Sequence, residues 1–160
     1  MDDITIARAV HVLAIVLWIG GVAFVTTILL PAVRRIKRAE ERFSFFNAIE
    51  RRFAWQARVT TLLAGASGIY MADRLGLWAS FLSIDHWWLT GMTLVWLVFT
   101  FMLFVAEPLF LDRWFEQCAK RNPERTFALI LHLHWLLLLL SLITVFGAVA
   151  GSHGLSFSGY

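Results

Sequence analysis

Four long apolar runs dominate this chain of 160 residues and decide what it can fold into. The runs cover residues 4–30, 53–72, 87–106 and 127–150. A helix needs about 20 mostly apolar residues to cross a bilayer, and each run reaches that length. Hydrophobic residues make up 59% of the chain and charged residues 16%, far from the composition of a soluble domain. We therefore predict an all-α fold, a single transmembrane domain over residues 1–160 in which four helices form an integral membrane bundle.

Basic residues are concentrated in two of the three connections between the runs. Of the 14 Lys and Arg residues, seven lie between the first and second runs, an eighth, Arg58, lies near the start of the second, and four lie in or beside the third connection. Basic loops of membrane proteins face the cytoplasm. We therefore expect a multi-pass protein of a bacterial-type inner membrane, with both termini on the outer side. The net charge of +3 then reflects orientation and contacts with membrane lipid, and no nucleic-acid surface is expected.

The first basic connection has the periodicity of an amphipathic helix. Its apolar residues recur at spacings of three and four with charged residues between them: Ile36, Ala39, Phe43, Phe46, Ile49 and Phe53. The pattern predicts an amphipathic cytoplasmic helix that lies at the membrane interface or extends the first run. A face for docking a partner is the alternative.

An ionisable side chain inside a membrane is costly, so it marks a candidate functional site. His11 lies seven residues after Ile4, about 10 Å into the first run. Arg8 and Trp18 share its broad helical face, and Gly21 lies on the neighbouring surface, where a helix or a flat cofactor can approach closely. Histidine is the common axial ligand of haem iron. The alternative is a structural histidine that hydrogen-bonds to another helix.

A second candidate ligand lies at a similar depth in the third run. Met92 is about 8 Å from Trp87, where that run enters from the same side of the membrane. Methionine is a frequent partner of histidine at haem iron in electron-transfer proteins, and both side chains also suit copper. We therefore predict His11 and Met92 as ligands of haem b, with copper as the alternative metal.

Two further histidines, His132 and His134, lie near the start of the fourth run. On a helix their side chains diverge by about 200°, so they cannot comfortably share one metal ion. Either one is a candidate metal ligand for a second haem on the cytoplasmic side, or a contact for a quinone. The alternative is snorkelling to the interface or a hydrogen bond between helices.

The second run carries a track of small side chains. Its members are Thr61, Gly65, Gly68 and Ala72. Small residues let helices approach closely in membranes. The track predicts tight helix packing, or a face between copies of the chain in a homo-oligomer.

The first run, HVLAIVLWIGGVAFVTTILLPAV, resembles the opening helix of the CopD-like and HemJ-like membrane proteins. The resemblance extends more loosely through RVTTLLAGASGIYM, WWLTGM and NPERTF. It implies a haem or metal site at His11, because HemJ-like proteins bind b-type haem and are implicated in protoporphyrinogen oxidation, and CopD-like proteins are associated with copper handling. The chain departs from the HemJ-like pattern, which has His where Thr90 stands and Lys where Met92 stands. This departure argues against protoporphyrinogen oxidation and leaves a thioether where an iron ligand is expected.

The residues and the resemblance together favour a membrane-embedded b-type haem protein. Its expected function is redox chemistry or electron transfer with a quinone or a porphyrinogen-type partner. In that function Trp18 packs against the macrocycle and Arg8 pairs with a propionate. One alternative is a copper-handling protein that uses His11, Met92 and His86, and another is a scaffold subunit without catalysis. The sequence leaves open whether the chain is an enzyme or an electron relay.

Overall fold

The computed structural model describes residues 3–36 and 38–153, and every regular element in this part of the chain is helical. Lys37 and both ends of the predicted domain, residues 1–2 and 154–160, lie outside it. The long helices are α1 (Asp3–Arg34), α2 (Ala39–Arg74), α3 (Trp87–Leu111), α4 (Asp112–Arg121) and α5 (Pro123–Ser152). Two short 3-10 helices, Leu77–Leu82 and Ile84–His86, connect α2 to α3.

Among the described residues, α1, α3 and α5 are the helices long and apolar enough to cross a membrane. Many large apolar side chains on these helices point outward, including Val12, Leu136 and Phe146. A soluble monomer rarely exposes so continuous an apolar surface. The structure therefore agrees with a membrane protein.

The amphipathic segment is the first half of α2 and is continuous with the second apolar run. It does not extend the first run, because α1 ends at Arg34 and the backbone is extended at Arg38 (φ −85°, ψ 122°). No glycine or proline interrupts the chain from Ala39 to Ala64, so one helix carries both the charged and the apolar halves. Because half of α2 is charged, α2 is less apolar overall than α1, α3 and α5.

Two prolines lie beside widened turns of the apolar helices. In α1 a π-helical segment, Val25–Leu29, comes just before Pro31. In α3 a π-helical segment, Met102–Leu111, contains Pro108. Proline lacks a backbone N–H and its ring crowds the carbonyl of the preceding turn, so the regular hydrogen-bond ladder is interrupted there.

Aromatic rings and small residues hold the helices together. The Trp18 ring of α1 meets the Phe99 ring of α3 edge-on at 4.9 Å between centroids. The indole of Trp96 donates to the Thr61 carbonyl of α2 at 2.9 Å and lies over Gly65, where a side chain would clash with it. The small-residue track of α2 is thus used for packing within the chain, as predicted. In a membrane such close packing, rather than water exclusion, is the main attraction between helices.

Candidate functional site

His11 lies at the contact between α1 and α2. Its Nδ1 is 2.9 Å from the carbonyl oxygen of Ala64 and 3.1 Å from the hydroxyl of Ser67. A carbonyl can only accept, so Nδ1 carries the proton and Nε2 keeps its lone pair. Gly68 leaves room for the ring, because a Cβ there would lie 3.2 Å from the Cε1 of His11. The imidazole is thus fixed in one tautomer by the backbone of the neighbouring helix.

The other residues predicted around His11 have varied surroundings. Arg8 is exposed on α1, and Met92 is half-buried on α3. Trp18 is buried against Phe99, and its indole Nε1 finds no hydrogen-bond partner among the described residues. The contacts described above for His11 are all with residues of α2.

Gly21 is also used for packing within the chain. The group that approaches it is the ring of Phe53 on α2, which would overlap any added Cβ. Trp18 and Gly21 therefore both make contacts inside the protein. The cofactor-binding roles of Arg8, Trp18, Gly21 and Met92 stay predictions.

The two histidines of α5 occupy different environments, as their helical spacing implies. His134 is half-buried, with its Nδ1 2.9 Å from the carbonyl of Ile130. His132 is exposed, with its Nδ1 2.6 Å from the carbonyl of Ala128. Each ring therefore donates to its own helix, and each keeps the lone pair on Nε2. Only the ring of His134 lines the cavity described next.

A cavity of about 300 Å³ lies between α1, α2, α3, α4 and α5. It occupies the half of the structure where α1 ends and α2 and α5 begin, which we call the basic end. Its walls are mostly apolar, and four polar side chains line it: Glu50, Arg51, Glu107 and His134. Enclosed, mostly apolar cavities with a few polar groups are typical of small-molecule sites, and this volume is at the lower end of their range. The cavity is therefore a candidate ligand site.

An ion pair adjoins the cavity. Arg58 of α2 donates from Nη2 to Oε1 of Glu107 on α3 at 3.0 Å, and from Nε to the carbonyl of Leu103 at 3.0 Å. Both side chains are mostly covered, with 29% of Arg58 and 22% of Glu107 exposed. In a π-helix the carbonyl of Leu103 would pair with the N–H of residue 108, but Pro108 has none. Arg58 supplies the missing donor.

Sequence reasoning did not identify this pair. Arg58 counts among the basic residues of the first connection, and Glu107 reads as the end of a polar stripe with Thr93 and Thr100. A signal was present nonetheless. Arg58 is the only charged residue from 53 to 72, and Glu107 directly precedes a proline just beyond an apolar run. Charges inside apolar runs usually pair with one another.

A second ion pair lies at the basic end. Arg42 is 6% exposed, and its Nη1 donates to Oε1 of Glu124 at 2.6 Å. Its Nε and Nη2 donate to the carbonyl of Ile36 just after α1, and its guanidinium lies 5.6 Å from the ring centroid of Phe127. One side chain thus joins α2 to the end of α1 and to the start of α5.

The opposite end of the structure has its own polar contact. Asp3 at the start of α1 accepts hydrogen bonds from Tyr70 at 2.6 Å and from Arg74 at 3.0 Å. Both donors lie near the end of α2. Because these side chains are exposed, the ion pair contributes little to stability.

Within the described ranges, no three His, Cys, Asp or Glu side chains are grouped so that they could hold a metal ion. No family model, curated protein or solved structure matches the chain. The features of the molecule that bear on function are therefore the histidine environments, the cavity and the ion pair beside it.

Proposed function

We propose that the protein is a membrane-embedded b-type haem protein that transfers electrons to or from a quinone or porphyrinogen-type partner. The observation that carries the proposal is the hydrogen bond from His11 Nδ1 to the Ala64 carbonyl. Histidines that ligate metals usually donate their other ring N–H to a carbonyl or carboxylate, which fixes the ring and strengthens the ligand. His11 has this chemistry inside an apolar helix, so its donor atom fits haem iron. The resemblance to HemJ-like proteins supports the same residue.

Each residue has a defined part in this proposal. When bound, haem supplies one-electron chemistry whose potential depends on its axial ligands and their surroundings. The Ala64 carbonyl and Ser67 hold the His11 imidazole, and Gly68 leaves space for it. Met92 is the proposed second ligand, on the strength of its similar depth.

The membrane arrangement of the proposal adds α2 as a fourth span. Arg58, the only charge between residues 53 and 72, is paired with Glu107, which lowers the cost of placing it in the bilayer. The three apolar helices and the apolar half of α2 would then form a four-helix bundle. The positive-inside rule orients the basic end toward the cytoplasm of a bacterial-type plasma membrane, with both termini outside.

The test is an absorption spectrum of the detergent-purified protein, oxidised and then reduced with dithionite, with metal analysis of the same sample. We expect a reduced b-type spectrum and iron near one equivalent or above. His11→Ala should abolish or shift the Soret band. His132→Ala, at an exposed histidine, should retain the absorption bands of the haem bound at His11.

Four results would contradict the proposal or one of its ligands. Bound copper without haem would favour copper handling instead. A colourless protein without metal would favour a scaffold subunit. A wild-type spectrum in His11→Ala would remove His11 as a ligand, and the same spectrum in Met92→Leu would remove Met92.

A further inference from the structure

We propose that the cavity at the basic end binds the headgroup of a lipid-soluble quinol, with His134 and Glu107 as its hydrogen-bond partners. The choice of a redox-active ligand rests on the function proposed above, whereas the site itself rests on the cavity. Nothing in the site requires haem at His11. The two proposals therefore fail separately.

The shape of the cavity suits a single ring with an apolar tail. Its volume of about 300 Å³ is small for a macrocycle but adequate for a substituted six-membered ring. Leu133 lines the cavity and is 37% exposed on the apolar outer surface, so the cavity adjoins the lipid there. A ligand dissolved in the bilayer can reach it without crossing water.

Two hydrogen-bond acceptors select the ligand that fits. The Nδ1–H of His134 is committed to the Ile130 carbonyl, so the lone pair of this cavity-lining ring is on Nε2. The carboxylate of Glu107 accepts from Arg58, and a carboxylate has about four lone-pair sites, so it can accept from more than one donor. A quinol has two hydroxyl donors on opposite sides of its ring. The oxidised quinone has only carbonyl acceptors, which these two groups would not satisfy.

The wall that carries Glu107 is unusual, which supports a role in binding. Met102, Leu103, Glu107 and Leu111 all line the cavity and all belong to the π-helical segment. Such widened turns occur frequently at functional sites. Arg58 bonds both to the Leu103 carbonyl and to the Glu107 carboxylate, so it holds the widened turn and aims the carboxylate.

The basic end also places charged groups at the edge of the cavity. Glu50 and Arg51 of α2 line it, and Arg51 is exposed. Polar groups at one end and lipid-facing Leu133 at the side match a ligand with a polar ring and an apolar tail. An acyl chain alone would offer no hydrogen-bond donor to these acceptors, so it would gain no polar contact in the cavity.

The experiment measures binding to the purified full-length chain in detergent by titration calorimetry, with protein-free micelles as the blank. The probes are decylubiquinol kept reduced, decylubiquinone, and 1-decanol, which has the same chain without the ring. We expect decylubiquinol to bind at least about tenfold more tightly than decylubiquinone, the equivalent of one good hydrogen bond, and decanol to bind more weakly still. Equal affinities for decylubiquinol and decanol would overturn the proposal.

The matched variants are His134→Phe and His132→Phe. They remove histidines from the same helix that make the same bond to their own backbone, but only His134 lines the cavity. His134→Phe should weaken decylubiquinol binding about tenfold or more, and His132→Phe should leave it within about twofold. Unchanged binding in His134→Phe contradicts the assignment.

A third variant keeps the test decisive if His134→Phe fails to fold. Leu137→Trp places a larger side chain in the cavity, at a half-buried position, and leaves both acceptors in place. It should abolish decylubiquinol binding, and retained affinity would overturn the proposal. Haem spectra of the same samples separate the two proposals, because quinol binding by haem-free protein contradicts the haem site alone. Loss of haem in His134→Phe would instead make His134 an iron ligand and overturn the quinol assignment.

Discussion

The guanidinium of Arg58 lies 3.0 Å from the carboxylate of Glu107 and binds, through its Nε, the Leu103 carbonyl four residues before that carboxylate. The pair therefore does two things at once. It neutralises two charges in an apolar surrounding, and it satisfies a carbonyl that Pro108 cannot pair. Arg58 lies on α2 and Glu107 on α3, so the pair connects α2, the less apolar helix, to α3.

Removing only the cation should cost more stability than removing both charges. In Arg58→Met, Glu107 loses its charged partner and the Leu103 carbonyl loses its donor. We expect destabilisation of about 2–4 kcal/mol, somewhat less than for fully buried pairs, because both side chains are partly exposed. The double variant Arg58→Met, Glu107→Gln should recover part of that loss. Thermal unfolding in detergent measures both.

A matched arginine provides the control for this prediction. Arg52 lies on the same helix and is exposed, so Arg52→Met should change stability by less than about 0.5 kcal/mol. Equal losses in Arg58→Met and Arg52→Met would show that the pair does not hold α2 to α3.

Adjacent glycines in α1 should respond differently to the same substitution. A Cβ at Gly21 would overlap the Phe53 ring, whereas nothing lies within 4 Å of a Cβ at Gly20. Gly21→Ala should therefore destabilise the protein by about 1–3 kcal/mol through overpacking. Gly20→Ala should leave stability unchanged or raise it slightly, because alanine favours the helix. Thermal unfolding of the two variants side by side tests the packing of α1 on α2.

Helix packing also predicts the response to truncation of Trp18. The ring is 2% exposed and meets Phe99 edge-on, but its Nε1 has no hydrogen-bond partner among the described residues. Trp18→Phe keeps an aromatic ring and removes an unsatisfied N–H, so its cost should be below about 1.5 kcal/mol. Trp18→Ala opens a cavity and should cost about 3 kcal/mol or more. A loss of stability in Trp18→Phe as large as that in Trp18→Ala would contradict this prediction and would point to a hydrogen bond from the indole N–H.

Much of this fold can be read from the sequence because hydrophobic periodicity is a local signal. The apolar runs predicted α1, α3 and α5, and the spacing of His132 and His134 predicted that their rings diverge. The continuity of α2 was harder to foresee, since the amphipathic segment adjoins two apolar runs and can be joined to either. The segment belongs to α2 because α1 ends at Arg34 and the backbone is extended at Arg38.

The candidate site could be predicted only in part, because it depends on contacts between distant segments. His11 stood out as a charge-capable group in an apolar run, but its partners lie more than 50 positions away on α2. Gly20 and Gly21 look alike in the sequence, and only tertiary packing distinguishes them. Arg58 and Glu107 are separated by 49 positions, so no local pattern links them.

The chain offers a natural probe of its orientation, because Cys118 is its single cysteine and lies in α4 at the basic end. If the positive-inside rule holds, a membrane-impermeant maleimide should label Cys118 in inverted membrane vesicles and not in intact spheroplasts. The matched variant moves the thiol to the other end: Cys118→Ser combined with Ser152→Cys, at an exposed position that ends α5. That thiol should be labelled in spheroplasts. Labelling of both thiols from the same side would mean that α5 does not cross the membrane, and the reversed pattern would place the end of α5 in the cytoplasm.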